Sequence, residues 1–269
     1  MTDEKNPRYT HGHDEPVLRS HTWRTVENSA AYLMPHLTPE VHLLDVGAGP
    51  GTISVDFARR VGSVTVAETS EDILSLSRRA AQDAGVTNME FAVEDVHGMS
   101  FADDTFDVVH AHQVLQHVAD PVAALREMAR VTKPGGVVAV RDADYGAMTW
   151  WPETPGIERW RQSYSRAARA NGGEPDAGRR LLAWAHAAEL VDARASSSTW
   201  TYATPDERRW WADLWADRVS RTALTEQLAE GSVAGSNDVD VMAAAWRSWG
   251  EHPDGWFCVP HGEVLWRKP

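Results

Sequence analysis

The chain has 269 residues, 42% of them hydrophobic and 24% charged, which fits one or two globular domains and excludes a collagen-like, low-complexity or globally disordered chain. The 39 Asp plus Glu outweigh 26 Lys plus Arg for a net charge of -13, a balance that repels phosphate backbones and argues against nucleic acid as a partner. A single cysteine, Cys258, excludes an intrachain disulfide and a multi-thiolate zinc site and fits a cytoplasmic location.

Met1 to Asp14 is polar and is expected to lack the apolar run of a secretory leader. No stretch approaches the roughly 18 apolar residues of a membrane span. Glu15 to Leu37 reads as one or two helices, with Val17, Leu18, Ala30, Leu33, Met34 and Leu37 on an apolar face, and residues 1–40 are expected to form a helical N-terminal lid. Residues 41–150 then alternate short apolar runs with segments of helical length. The runs are Val41 to Val46, Ser63 to Glu68, Met89 to Val93, Phe106 to Ala111 and Gly136 to Arg141, with helices expected over Gly51 to Val61, Glu71 to Ala84 and Pro121 to Thr132. Lys133-Pro134-Gly135-Gly136 closes the last helix with a breaker cluster. Such alternation predicts a parallel sheet covered on both faces.

After Trp150 the character changes, since twelve of the thirteen tryptophans lie between Trp150 and Trp266. Helices are expected over Pro155 to Ala170, Ala177 to Ala188, Pro205 to Thr222 and Asp238 to Glu251. Strands over Val191 to Tyr202 and Trp256 to Trp266 complete the sheet. The expected fold class is therefore α/β, a Rossmann-like doubly wound, mostly parallel sheet of seven strands with helical lid elements at both ends, organised as 1–40, 41–150 and 151–269. The tryptophan rings read either as packing between helices or as the wall of a pocket for an apolar ligand.

The segment Leu43-Leu44-Asp45-Val46-Gly47-Ala48-Gly49-Pro50-Gly51 sets a glycine turn between a buried strand and a helix, where backbone approaches a ligand closely and helix amides are unpaired. A dinucleotide fingerprint would need a third glycine at position 52, which is Thr52. Glu68 ends the next strand, about twenty residues on, where a carboxylate accepts from ribose hydroxyls. Glu94-Asp95-Val96 follows the third strand, with a carboxylate suited to an exocyclic adenine amine. All three features fall at consecutive carboxyl ends of strands.

With these pieces, and with Phe106-Asp107-Val108-Val109, Leu115-Gln116-His117-Val118 and Arg130-Val131-Thr132-Lys133-Pro134-Gly135-Gly136, the stretch Val41 to Arg141 resembles the class I S-adenosylmethionine-dependent methyltransferase domain, of the ubiquinone/menaquinone-biosynthesis-type (methyltransferase type 11-like) small-molecule branch. The resemblance implies S-adenosylmethionine as cofactor, with S-adenosylhomocysteine as product. It implies that Asp45 and the Gly47 to Gly51 turn, with Gly47, Ala48 and Gly49 as its named contacts, hold the methionine part, Glu68 the ribose, and Asp95 with the Val96 amide the adenine, that backbone near Ala111 and His112, with Gln113, approaches the amino-acid end, and that Thr69 is a further cofactor-binding candidate. Arg24 is the candidate partner for the cofactor's carboxylate. The Asn-Pro-Pro-aromatic tetrad of related families that methylate amide or nucleobase nitrogens is replaced by His112-Gln113-Val114-Leu115.

Methyl transfer from a sulfonium needs alignment and exclusion of water more than covalent help. A base matters only where the acceptor must lose a proton. His21, His112, His117, Asp142 and Asp144 are candidates, and His117 and Asp144 are taken as the catalytic pair. His110 and His112 share a strand face, but two histidines do not make a metal site, and none is expected. The expected function is methyl transfer to a small, aromatic or polyketide-like metabolite of secondary metabolism, with oxygen preferred over carbon or nitrogen. The alternatives are a protein that binds the cofactor without methylating, as regulator or cyclisation catalyst, and a protein methyltransferase. The expected partner is the small-molecule acceptor, with no membrane and no nucleic acid; a homodimer is left open.

Overall fold

The computed structural model describes residues 23–221 and 236–269. His21 and the greater part of the expected 1–40 lid lie outside the described residues. The strands are β1 (His42–Val46), β2 (Ser63–Glu68), β3 (Met89–Val93), β4 (Phe106–His112), β5 (Thr132–Ala143), β6 (Thr149–Trp151), β7 (Arg194–Tyr202) and β8 (Trp256–Arg267). They form one sheet in the order β3-β2-β1-β4-β5-β8-β6, with β7 paired to β8. The pairs among β1 to β5 are parallel, and β6 runs antiparallel to β8. After β3 the chain crosses back to place β4 on the other side of β1, which creates the switch point where open α/β sheets bind ligands beyond their carboxyl ends.

The described chain forms two compact units, one of residues 23–142, 177–198 and 261–269, the other of 143–176, 199–221 and 236–260. In the first, strand residues alternate between two apolar layers, as the two-residue period of a strand requires. Leu43, Val64, Val66, Val108 and Ala139 pack with Phe57 and Leu74 on one face. Leu44, Val46, Val109, Val138 and Val140 pack with Leu125 and Met128 on the other. Covering both faces leaves most positions of these strands apolar, and the buried exceptions Asp45 and His110 bond to each other.

Local chemistry sets the helix starts. Ser70 accepts from the Asp72 amide at 3.2 Å ahead of the helix Glu71–Asp83, whose first turn holds Glu71 and Asp72 against the positive end of the helix dipole. Asp120 accepts from the Ala123 amide at 2.8 Å, and Pro121 occupies the first turn of Pro121–Val131, where its missing N–H is not needed.

Four expectations change. The sheet has eight strands and not seven, because Trp150 lies in the three-residue β6, too short to show a period. Lys133 to Gly136 does not stand between helix and strand but forms a bulge within β5: Phe106 faces Thr132 and Val108 faces Val137, so three extra residues are accommodated. β7 starts at Arg194, because Glu189 and Asp192 take left-handed backbone conformations, φ 65° and 63°, and turn the chain through Val191. The described end of Glu15 to Leu37 is one short helix, Val26–Ser29, followed by the 3-10 segment Ala31–His36, which contains Pro35.

In the second unit most of the tryptophans are core, while Trp151 and Trp256 stay exposed. Trp160, Trp215 and Trp246 are almost wholly buried. Trp160 meets the edges of Trp215 and Trp246 at centroid distances of 4.4 and 4.9 Å, and Tyr145 stacks on Tyr164 at 4.2 Å. Tilted and edge-on contacts match the quadrupoles of the rings. Trp160→Ala is expected to lower the unfolding free energy by about 3–5 kcal/mol, the range for deleting a large buried ring; a urea melt followed by tryptophan fluorescence checks it.

Candidate functional site

The turn after β1 is a glycine structure for two reasons at once. Gly47 and Gly51 have φ of 64° and 80°, a region that side chains resist. A Cβ on Gly47 would also lie 2.5 Å from Val114 Cγ2, and one on Gly51 2.9 Å from Ser77 Cβ. The turn is pinned from three sides. The Gly49 amide donates to Glu68 Oε1 at 2.6 Å, the Gly49 carbonyl accepts from Ser77 Oγ at 2.6 Å, and the Gly47 amide donates to the Ala67 carbonyl at 2.8 Å.

Asp45 supports the turn from below. Ser54 Oγ donates to one of its oxygens at 2.5 Å, and His110 Nδ1 donates to the other at 2.8 Å. Both oxygens of this buried carboxylate therefore serve the scaffold, tying β1 to the helix Thr52–Ala58 and to β4.

Glu68, at the end of β2, is 9% exposed. Burial raises its carboxyl above the ordinary range, and the Gly49 and Thr69 amides oppose that shift. One strand further out, the Glu94 amide donates to the Glu68 carbonyl at 2.9 Å, which fixes the start of the loop carrying Asp95. Asp95 is exposed, and its Oδ1 accepts from the His97 amide at 2.9 Å and the His97 ring at 2.7 Å. The amide bond is the main reason its carboxyl sits below the usual value. Among the described residues its Oδ2 accepts no hydrogen bond. Val96 is buried.

Beyond β4 the chain turns sharply at Gln113, a non-glycine residue with φ 56°. Backbone strain of this kind persists only where its surroundings hold it. Here the Gln113 amide donates to the Arg141 carbonyl at 2.7 Å, its side-chain oxygen accepts from Arg24 Nη2 at 2.9 Å, and its Nε2 donates to His261 Nε2 at 3.0 Å. His112 stacks on His261 with ring centroids 6.1 Å apart. Burial, reinforced by the Arg24 and Arg141 charges, holds His112 far below the usual histidine range. His117 is half-buried and accepts from Gln116 Nε2 at 3.0 Å. Burial first and Arg24 second push its pKa down to about 3, so the ring is neutral at ordinary pH.

Near the end of the fifth strand stand Arg141 and Asp142, both without exposure. Arg141 lies 3.4 Å from Glu263 and donates to Ser198 Oγ at 3.0 Å, while Glu263 accepts from Ser196 and Ser198 at 2.6 and 2.5 Å. Asp142 Oδ1 accepts from the Gln116 amide at 3.1 Å.

Within the first unit most of the sequence-derived residues form two groups, and Asp95, Val96 and His117 stand outside both. Asp45, Gly47, Ala48, Gly49, Glu68 and Thr69 make the turn, and Arg24, His112 and Gln113 make the corner after β4. Val114 against Gly47 joins them. Asp144 belongs to the second unit, where it caps the turn Tyr145–Ala147 through a 3.0 Å bond from the Ala147 amide. Sequence reasoning missed His261 and Glu263. Their signal was a pair of polar residues two apart in the apolar strand Trp256–Arg267, a spacing that puts both on one face.

A family model described as a methyltransferase domain matches residues 37–205. An uncharacterized methyltransferase of Schizosaccharomyces pombe is 34% identical over 270 residues, covering 97% of this chain and 96% of its own. A ubiquinone/menaquinone biosynthesis C-methyltransferase of Idiomarina loihiensis is 36% identical over 102 residues, 36% of this chain and 41% of its own. Among solved structures, a candidate methyltransferase from Bacillus halodurans C-125 superposes with a TM-score of 0.61 at 21% identity, covering 89% of this chain and 98% of its own.

The raised Glu68 carboxyl gives a signed expectation. Between the unfolded and folded pKa the folded chain keeps a proton that the unfolded chain releases, so stability falls as pH rises through that window. Glu68→Gln removes the effect. Its unfolding free energy relative to the parent should move in favour of the variant between pH 4 and pH 8, read by urea melts at both pH values.

Proposed function

The chain belongs to the methyltransferase-domain family and is an S-adenosylmethionine-dependent methyltransferase, and from that premise we propose that it transfers the methyl group to a small aromatic or polyketide-like metabolite, with oxygen as the receiving atom. The observation that carries the site assignment is the pinned glycine turn, with Glu68 bonded to the Gly49 amide at 2.6 Å. A cradle that a Cβ on Gly47 would fill, beside a buried acidic acceptor, fits a ligand whose polar part presses on backbone. Glu68 spends one lone pair on Gly49 and one on Thr69, and a carboxylate has further acceptor sites for the two ribose hydroxyls. Asp95 Oδ2 is available to the adenine amine, with Val96 packing beside it.

When bound, the cofactor supplies a methyl group already activated by its positive sulfur. The chain's own work is then to bind, to align and to exclude water. Arg24 and Gln113, bonded to each other at 2.9 Å, would hold the carboxylate end of the methionine part beside His112. His117, neutral and bonded to Gln116, would lie at the acceptor side as a hydrogen-bonding ring. The acidity of the chain and the His112-Gln113-Val114-Leu115 sequence in place of the amide- and nucleobase-methylating tetrad favour a small metabolite over nucleic acid or glutamine. A cytoplasmic setting and a place in secondary metabolism complete the reading.

Titration calorimetry with S-adenosylmethionine tests the site. Glu68→Ala and Asp95→Ala should each bind about tenfold or more weakly, the scale of one lost hydrogen bond to a charged group, while circular dichroism stays unchanged. Parental affinity in both variants would remove the assignment.

A further inference from the structure

The corner where β5 meets the turn Leu115–His117 contains two buried acceptors that the fold does not complete. Asp142 is wholly inaccessible and Gln116 is 3% exposed. One Asp142 oxygen accepts from the backbone amides of Leu115 and Gln116, which fixes the carboxyl plane against the turn. Its other oxygen, Oδ2, has no hydrogen-bond partner among the described residues, and neither has the side-chain oxygen of Gln116. Buried polar atoms in native structures are nearly always satisfied, so each exception needs an explanation. Two acceptors without a donor are complementary to a ligand that brings a donor, such as a hydroxyl or enol, and mismatched to one that brings only a carbonyl or carboxylate.

We propose that Asp142 is the proton acceptor of the transfer, and that the group methylated is a hydroxyl or enol whose hydrogen points at Asp142 Oδ2. This rests on the cofactor reading above. The location agrees with it, because Asp142 is the next-to-last residue of β5, the strand beside β4, and Arg141 just before it pairs with His112 in the sheet. In the step, an oxygen lone pair of the acceptor forms the new bond to the methyl carbon. The carbon–sulfur pair stays with sulfur as a neutral thioether, and the acceptor's proton passes to Asp142, which later releases it to solvent.

Charge around Asp142 is consistent with the role. Burial raises its carboxyl to about 7, against the pull of the two amides and of the Arg141 charge. Tyr32, whose hydroxyl burial raises far above the usual range, is the other titratable group that feels it. A base poised near the working pH is the efficient kind. His117, held near 3 and already accepting from Gln116, is not so poised.

Asp142→Asn tests the proposal on the full-length chain, because the amide keeps an oxygen for the Leu115 and Gln116 amides and removes only the ionisation. In the parent labelled with carboxyl-13C aspartate, one carboxyl should titrate near pH 7, and this signal should be missing from the variant. With S-adenosylmethionine and phenol, catechol and acetylacetone as acceptor probes, the parent should show product formation rising with pH through the same midpoint. The variant should be slower by about 10²- to 10⁴-fold, the usual contribution of a positioned base, with unchanged cofactor affinity by calorimetry. The carboxyl titration in the unmodified chain decides the matter even where the variant fails to fold, since an Asp142 that titrates with the ordinary aspartates overturns the proposal. So does a variant as active as the parent, or a parent that binds the cofactor and methylates none of the probes. A parent that fails to bind the cofactor would bring down the underlying reading and this one together.

Discussion

The bond between the Gly49 amide and the Glu68 carboxylate, 2.6 Å long, is the contact on which the site depends. It joins the carboxyl ends of β1 and β2 across a turn that has no side chain at three of its five positions, Gly47, Gly49 and Gly51. Such a turn has a large backbone entropy in isolation. Glu68, Ser77 and the Ala67 carbonyl supply the fixed points that hold it in one shape, and Asp45 ties the strand before it to the helix after it through Ser54. Asp45 shows the cost of doing this with a buried charge. A carboxylate without water is tolerated only when its oxygens are hydrogen-bonded, and here Ser54 and His110 satisfy one oxygen each.

The same rule accounts for the layer of polar groups at the ends of β4, β5 and β8. Arg141 and Glu263 are buried together with Ser196 and Ser198 completing the carboxylate, so the pair is a network and not an isolated ion pair. The positive charge of Arg24 and Arg141 acts with burial to keep His112 neutral, and Arg24 does the same for His117. Neutral imidazoles donate through one nitrogen and accept through the other. In this corner histidine serves as a shape-defining hydrogen-bonding group, which is why Gln113, with an amide that both donates and accepts, can bridge Arg24 and His261 in its left-handed conformation.

Much of this was legible in the sequence, and for physical reasons. Strands buried on both faces must be apolar and short, so β1 to β4 were placed within a residue or so of their observed ends. The glycine turn and Glu68 were legible because backbone conformation and strand ends leave compositional marks. Three features left none. A three-residue strand such as β6 is shorter than any period. The Lys133 to Gly136 bulge carries the residues of a chain break although its flanks continue pairing. His261 and Glu263 are separated from Gln113 and Arg141 by more than a hundred residues of sequence, and only the pairing of distant strands brings them into one corner. Asp142 and Asp144 looked equivalent as neighbouring acids after the fifth strand. The difference between them is that one caps a turn and the other is left with an unused oxygen, which no local pattern encodes.

The tryptophans show how burial redistributes function. A ring whose whole surface is spent on other rings has none left for a ligand, and Trp160, Trp215 and Trp246 are in that condition. Discrimination between acceptors cannot come from these three rings. Directional hydrogen-bonding groups discriminate more strongly than apolar walls, because a ligand lacking the matching donor leaves them buried and unpaired, whereas an apolar wall loses only a methylene's worth of contact. On the proposed reading, selectivity for an acceptor that carries a donor hydrogen would follow from a corner built of Asp142, Gln116 and neutral histidines in the same way that affinity for the cofactor would follow from a turn built of glycine.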